Sequence, residues 1–155
     1  MTNDEIQQYL RERIPATWFV GDLEITSDDD EVLVLGTLPQ GGPGVDEFRA
    51  STRDAGMAIA AEAQPKFGRR VSWGVVRDGA TALFTSQSTP VMTRLRLRER
   101  SVLDTLVRGG VARSRSDALA WCVRLVERHQ TDWLAELREA LAGVEQVRRE
   151  GPTPV

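Results

Sequence analysis

In Val91-Met92-Thr93-Arg94-Leu95-Arg96-Leu97-Arg98 an arginine recurs at every second position. On a strand this spacing sends Arg94, Arg96 and Arg98 to one face and Thr93, Leu95 and Leu97 to the other, because strand side chains alternate. A guanidinium is always charged and presents its donors as a planar fork, which suits phosphate and the O6/N7 edge of guanine. The surrounding charge favours that chemistry. Val91 to Arg115 holds seven Arg against Glu99 and Asp104 alone. Residues 1–90 carry 8 Lys and Arg against 14 Asp and Glu, whereas residues 91–155 carry 12 against 9. The net charge of −3 for the whole chain thus hides a basic stripe. Screening confines its field to about 8–10 Å, so it can attract a polyanion despite acidic surroundings.

The remaining reactive residue types carry less. His129 is the only histidine, which excludes a multi-histidine metal site and a two-histidine relay. Cys122, the only cysteine, falls on an apolar helical stripe and reads as a small hydrophobe. It allows no internal disulfide and fits a reducing compartment. Asp28-Asp29-Asp30-Glu31 could attract a cation but lacks the spacing and central glycine of a calcium loop, so a hairpin turn is the better reading. Gly41-Gly42-Pro43-Gly44 lacks the lysine of a phosphate-binding loop. Trp18, Trp73, Trp121 and Trp133 read as core, Trp73 most firmly because it alternates with Val71 and Val75, while for Trp133 an exposed position stays open. No catalytic residue, metal site or cofactor is expected, and an enzyme is the least favoured class.

The elements that position these residues follow from periodicity. Asp4–Ile14 predicts a helix ended by Pro15. Thr17–Ile25 and Glu31–Leu38 predict strands joined by the acidic turn at 27–30. A helix is expected over Asp46–Ala63, closed by Pro65 and Gly68. Arg69–Val76 and Ala80–Ser86 predict a hairpin, because Asp78-Gly79 favours a two-residue turn. The order helix-strand-strand, repeated once with Asp-Glu and an apolar residue opening each helix, predicts an α+β domain: a four-stranded antiparallel sheet with two helices on one face. Residues 1–86 form this acidic domain, 87–91 a linker overlapping the polar stretch from Thr85 to Pro90, 92–149 a second module, and 150–155 a tail. No apolar run approaches the roughly 18–20 residues that span a bilayer, and no signal peptide is visible, so the expected location is cytoplasmic.

In the second module residues 92–98 fit an alternating strand, but Leu95, Val102, Leu103 and Leu106 also sit at helical spacing. A helix over Glu99–Val107 should bury Leu103, Leu106 and Val107, with Gly109-Gly110 as its stop. A further helix opens near Ser114–Asp117, with Ser114 or Ser116 as N-cap, and turns Leu119, Cys122, Val123 and Val126 inward. Leu134, Leu137, Leu141 and Val144 then form one apolar seam. Packing of this seam against its own domain is favoured over a separate coiled coil.

The alternating strand, the short helix, the glycine turn and the run Arg113-Ser114-Arg115-Ser116-Asp117 resemble the ribbon-helix-helix DNA-binding family over roughly Met92 to His129. That resemblance implies a homodimer whose strands pair into a ribbon lying in the major groove. It also implies that Arg94, Arg96 and Arg98 read bases. By the same carry-over Arg113 and Arg115, with the backbone amides near Ser116 and Asp117, grip phosphate. The expected function is a homodimeric, sequence-specific transcriptional regulator binding double-stranded DNA, with its N-terminal domain free to engage a second protein. The alternative is an adaptor whose C-terminal helices only dimerise or bind a partner protein. An antitoxin role is a third option, weakened by the folded partner domain. No membrane partner is expected.

Overall fold

The computed structural model describes residues 2–152. The chain divides into two units that meet between Val91 and Met92. The first unit therefore takes in the stretch expected as linker. Thr85 Oγ1 accepts the Trp73 amide at 2.9 Å, and the Gln87 amide donates to the Glu31 carboxylate at 2.9 Å.

Helix α1 (Asn3–Arg13) starts where reciprocal capping dictates. The Thr2 hydroxyl accepts the Glu5 amide at 3.3 Å, and the Glu5 carboxylate accepts the Thr2 amide at 2.7 Å. Ile6 and Leu10, one turn apart, are buried, as is the capping Ile14. Strands β1 (Val20–Ser27) and β2 (Glu31–Thr37) form the expected hairpin. Asp28 Oδ1 accepts the amides of Asp30 at 2.9 Å and Glu31 at 2.8 Å, so the acidic run is a hydrogen-bonded turn. Those two donors hold the Asp28 carboxyl below its ordinary value. Helix α2 (Val45–Phe67) leads to β3 (Arg70–Arg77) and β4 (Ala80–Leu83). At their turn Asp78 and Gly79 both have positive φ, 51° and 76°, as the favoured two-residue hairpin turn requires.

The sheet order is β1-β2-β3-β4, with β2 and β3 parallel. The sheet is thus mixed, which corrects the expectation of an antiparallel one. The cause is the crossover. The 23 residues of α2 rise about 35 Å at 1.5 Å each, enough to return the chain along the whole sheet, so β3 restarts beside the beginning of β2. Helix α2 also runs past its expected end at Ala63 and includes Pro65. Pro65 has no amide to donate and so interrupts the bond ladder of the last turn, which Gly68 (φ 65°) closes by donating its amide to the Gln64 carbonyl at 2.9 Å. Val32, Val34 and Val71 face Ile6, Leu10, Ile14 and Ala63 across one side of the sheet. Phe48, Leu38 and Val75 continue this core toward the other end.

The second unit contains α3 (Leu97–Arg108), α4 (Arg115–His129) and α5 (Thr131–Glu150). Gly110 takes the left-handed conformation (φ 75°) that ends the α3 turn. Among its described residues only Leu103, Ala112 and Ala118 are buried, with Leu95, Leu106, Val107, Leu119 and Cys122 packed partly against them. Val123 and Val126, expected inward, are 64% and 51% exposed. Neither belongs to the cluster that Leu103 forms with α4. No residue of α5 is buried, so its seam does not pack as expected on its own domain. Of the expected tail, residues 153–155 lie outside the described residues. Among the described residues no helix is long and apolar enough to cross a membrane.

Candidate nucleic-acid interface

Residues 91–96 pair with no strand of their own chain among the described residues, and Arg96 is extended (φ −82°, ψ 170°). Alternation holds at the centre of this segment. Arg94 and Arg96 are exposed, while Leu95 between them packs partly against the core of the second unit. Arg100, which sequence reasoning passed over, fixes that arrangement by donating from its guanidinium to the Leu95 carbonyl. No periodicity announces a side-chain to backbone contact five residues apart, so the sequence held no signal for it.

The alternation ends two residues earlier than a strand over 92–98 would require. Leu97 and Arg98 lie in the first turn of α3, and Leu97 is 72% exposed. The Glu99 carboxylate accepts the Arg96 amide at 2.6 Å, tying an otherwise open donor at the helix start. Arg98 is exposed beside the extended segment but no longer shares its alternating face.

Helix α4 opens at Ser114, whose hydroxyl accepts the Asp117 amide at 3.1 Å. The Asp117 carboxylate in turn accepts the Arg113 amide at 3.0 Å. The Asp117 amide is therefore engaged within the cap. The amides of Arg115 and Ser116 are the first-turn donors without an intrahelical acceptor. Arg115 is committed elsewhere: Nε and Nη2 donate to Asp104 Oδ1 and Oδ2 at 2.8 and 2.9 Å, a two-pronged pair that ties α4 to α3. The hydrogen bonds from Arg115 hold the Asp104 carboxyl below its ordinary value, and those same bonds raise Arg115. Arg113 is the freer cation, its side chain 96% exposed and only 3.9 Å from the Asp117 carboxylate.

Arg94, Arg96, Arg98 and Arg113 are thus the exposed cations, Ser116 supplies a backbone donor, Asp117 is engaged in the α4 cap, and Arg115 with Asp104 ties α4 to α3. His129 is exposed at the end of α4, and Cys122 is half-buried. Among the described residues no cluster of three or more His, Cys, Asp or Glu could hold a metal ion.

Sequence reasoning also passed over a cleft in the first unit. Trp73 is only half-buried and lines an opening of about 600 Å³ between α2 and the end of β4. Its alternation with Val71 and Val75 correctly gives the face of the sheet it lies on. Alternation cannot tell whether the helix above covers it.

Residues 4–83 match the family model described as the Rv1265-like protein, N-terminal domain, and residues 96–148 match the Mb1296 C-terminal domain. The chain is 47% identical over 156 residues to the uncharacterized protein Mb1296 of Mycobacterium bovis, and equally to the uncharacterized proteins MT1303 and Rv1265 of Mycobacterium tuberculosis. In each case the match covers 94% of this chain and 69% of the relative. No solved structure matches the chain. With a family domain matched in each of its two units, the chain belongs to the family of Rv1265-like proteins.

Proposed function

We propose that this protein is a homodimeric DNA-binding regulator whose second unit meets the duplex while its first unit senses or recruits. One observation carries the reading. Arg94 and Arg96 are exposed before and after a partly packed Leu95, in a segment with no strand partner among the described residues of its own chain, in a unit whose helices bury only Leu103 and Ala118. Pairing that segment with a second copy would satisfy its backbone and cover the open faces of α3 and α4. It would also bring four strand arginines together on one surface, flanked by Arg98 and Arg113. Guanine edges and phosphates are the partners such a surface fits.

The test is retention of duplex DNA by the full chain at low salt. Wild type should bind, and Arg94→Ala combined with Arg96→Ala should weaken specific binding by at least about tenfold, since each good base contact contributes roughly 1–3 kcal/mol. Arg113→Ala should weaken all duplexes alike and lower the salt slope by about one unit. If the full chain retards no duplex at about 50 mM salt, where phosphate binding is strong, the DNA reading is wrong.

The adaptor reading is favoured by a different observation. The matched C-terminal domain begins at Arg96, leaving Arg94 outside it. That span also includes most of α5, where Leu137, Leu141 and Val144 are exposed. A protein that dimerises but binds no duplex would be this adaptor.

A further inference from the structure

We propose that the cleft beside Trp73 is a binding site for a planar aromatic carboxylate. The site lies wholly within the first unit and stands independently of the DNA reading.

The walls are aromatic and mutually braced. Phe48 contacts Trp18 edge-on at 5.9 Å and 87°, Phe19 at 5.3 Å and Phe84 at 6.2 Å between ring centroids. Such contacts fix the rings against one another, so the opening is held by the fold rather than created by a ligand. A volume of about 600 Å³ falls in the range of small-molecule sites, roughly 300–1,000 Å³. Gly56 of α2 keeps it open. A Cβ there would sit 3.9 Å from Trp73 Cε2 and 4.0 Å from Nε1, so any larger side chain would fill the space before the indole.

Two features specify the ligand. The Trp73 Nε1–H is shielded from solvent and has no acceptor. An indole nitrogen can only donate, and a buried donor left unpaired costs about 1–3 kcal/mol. An oxygen acceptor that enters the cleft and displaces the atoms now covering Nε1 would recover that loss. Charge at the mouth comes from Arg49, Arg53 and Asp46. Arg49 is partly engaged, donating to the Phe84 carbonyl at 3.3 Å and lying 5.5 Å from that ring's centroid. Arg53 is exposed and has no ion-pair partner among the described residues. Two cations against one carboxylate favour a single negative charge on the ligand, not a polyphosphate. Aromatic walls, one unpaired N–H donor and one surplus positive charge together fit a flat ring system bearing one carboxylate.

The test uses 15N-labelled full-length protein with 2-naphthoate as the probe and 2-naphthylmethanol as its uncharged counterpart. Four indole N–H signals arise from the four tryptophans, and single Trp→Phe variants assign them. Titration with 2-naphthoate should move the Trp73 signal downfield while leaving those of Trp121 and Trp133 in place. Arg53→Ala, a change at an exposed position, should weaken binding about tenfold by removing one charged contact. Gly56→Leu should abolish binding, with the melting curve checking that the fold survives. The proposal is overturned if the Trp73 signal is unmoved at millimolar 2-naphthoate. Equal binding of the alcohol, or full affinity in Arg53→Ala, overturns it as well.

Discussion

Between two helices and a sheet, the first unit buries Ile6, Leu10, Val32, Val34 and Val75 almost completely, whereas the second buries only Leu103, Ala112 and Ala118. Two of those last three are alanines, which remove little apolar surface from water. The second unit meanwhile leaves Leu97, Val102, Val123, Val126 and, on α5, Leu137, Leu141 and Val144 at least two-fifths exposed. A unit of about 60 residues with so small a core falls below what usually stands alone. Its charge differs too. The first unit is acidic, and the basic stripe begins at the boundary. The contrast teaches that one unit carries its stability inside the chain, while the other has its missing core and its chemistry on the outside. We attribute that missing core to a second copy of the chain.

The largest expected effect strikes the open face of the second unit. Val126→Asp leaves the single chain's packing almost untouched, because Val126 is half exposed. Buried against a partner, the unpaired charge should cost roughly 3–5 kcal/mol of dimer stability. Sedimentation at micromolar concentration should then show monomer where wild type shows dimer. A variant sedimenting as wild type would place the interface elsewhere. In the first unit, Leu10→Ala should cost about 2–5 kcal/mol, as expected for a fully buried leucine. That loss should be the same at every protein concentration. A midpoint for this unit that rises with concentration would break the contrast between the two.

Removing the α4 cap by Ser114→Ala should cost about 0.5–2 kcal/mol, seen as a lower melting temperature of the second unit alone. The smallest effect concerns pH. Asp104 has its folded value held below the ordinary 3.8 by Arg115. Its contribution is therefore present above pH 3.8 and lost as pH falls through the lower folded value. Acid titration of the second unit should show this loss, and Asp104→Asn should remove it. An identical acid limb in that variant would assign the sensitivity to another carboxylate.

How much of this was legible in the sequence depended on whether the cause was local. The Asp78-Gly79 turn and the Ser114 start of α4 were readable because each is determined within a few residues. The parallel pairing of β2 with β3 was not, since it depends on how far α2 carries the chain. Leu97 and Arg98 fitted a strand by alternation, yet the Glu99 carboxylate at the Arg96 amide placed them in a helix. The alternating arginines were legible at 94 and 96, where Leu95 is anchored, and failed at 98. Val123 and Val126 show a further limit: periodicity identifies a shared face but not whether anything covers it. Trp73 fails the same way, because its exposure is decided by Gly56 on another element.

Amide hydrogen exchange across residues 92–95 of the full chain tests the central claim most directly. Within one chain these amides have no strand partner, so isolated chains should exchange them rapidly. If two copies pair there as an antiparallel ribbon, alternate amides should be protected at high concentration and lose protection on dilution below the dimer dissociation constant. Rapid exchange of every one of these amides at concentrations where sedimentation shows dimer would contradict the account, leaving a dimer held by its helices alone and no ribbon to meet DNA.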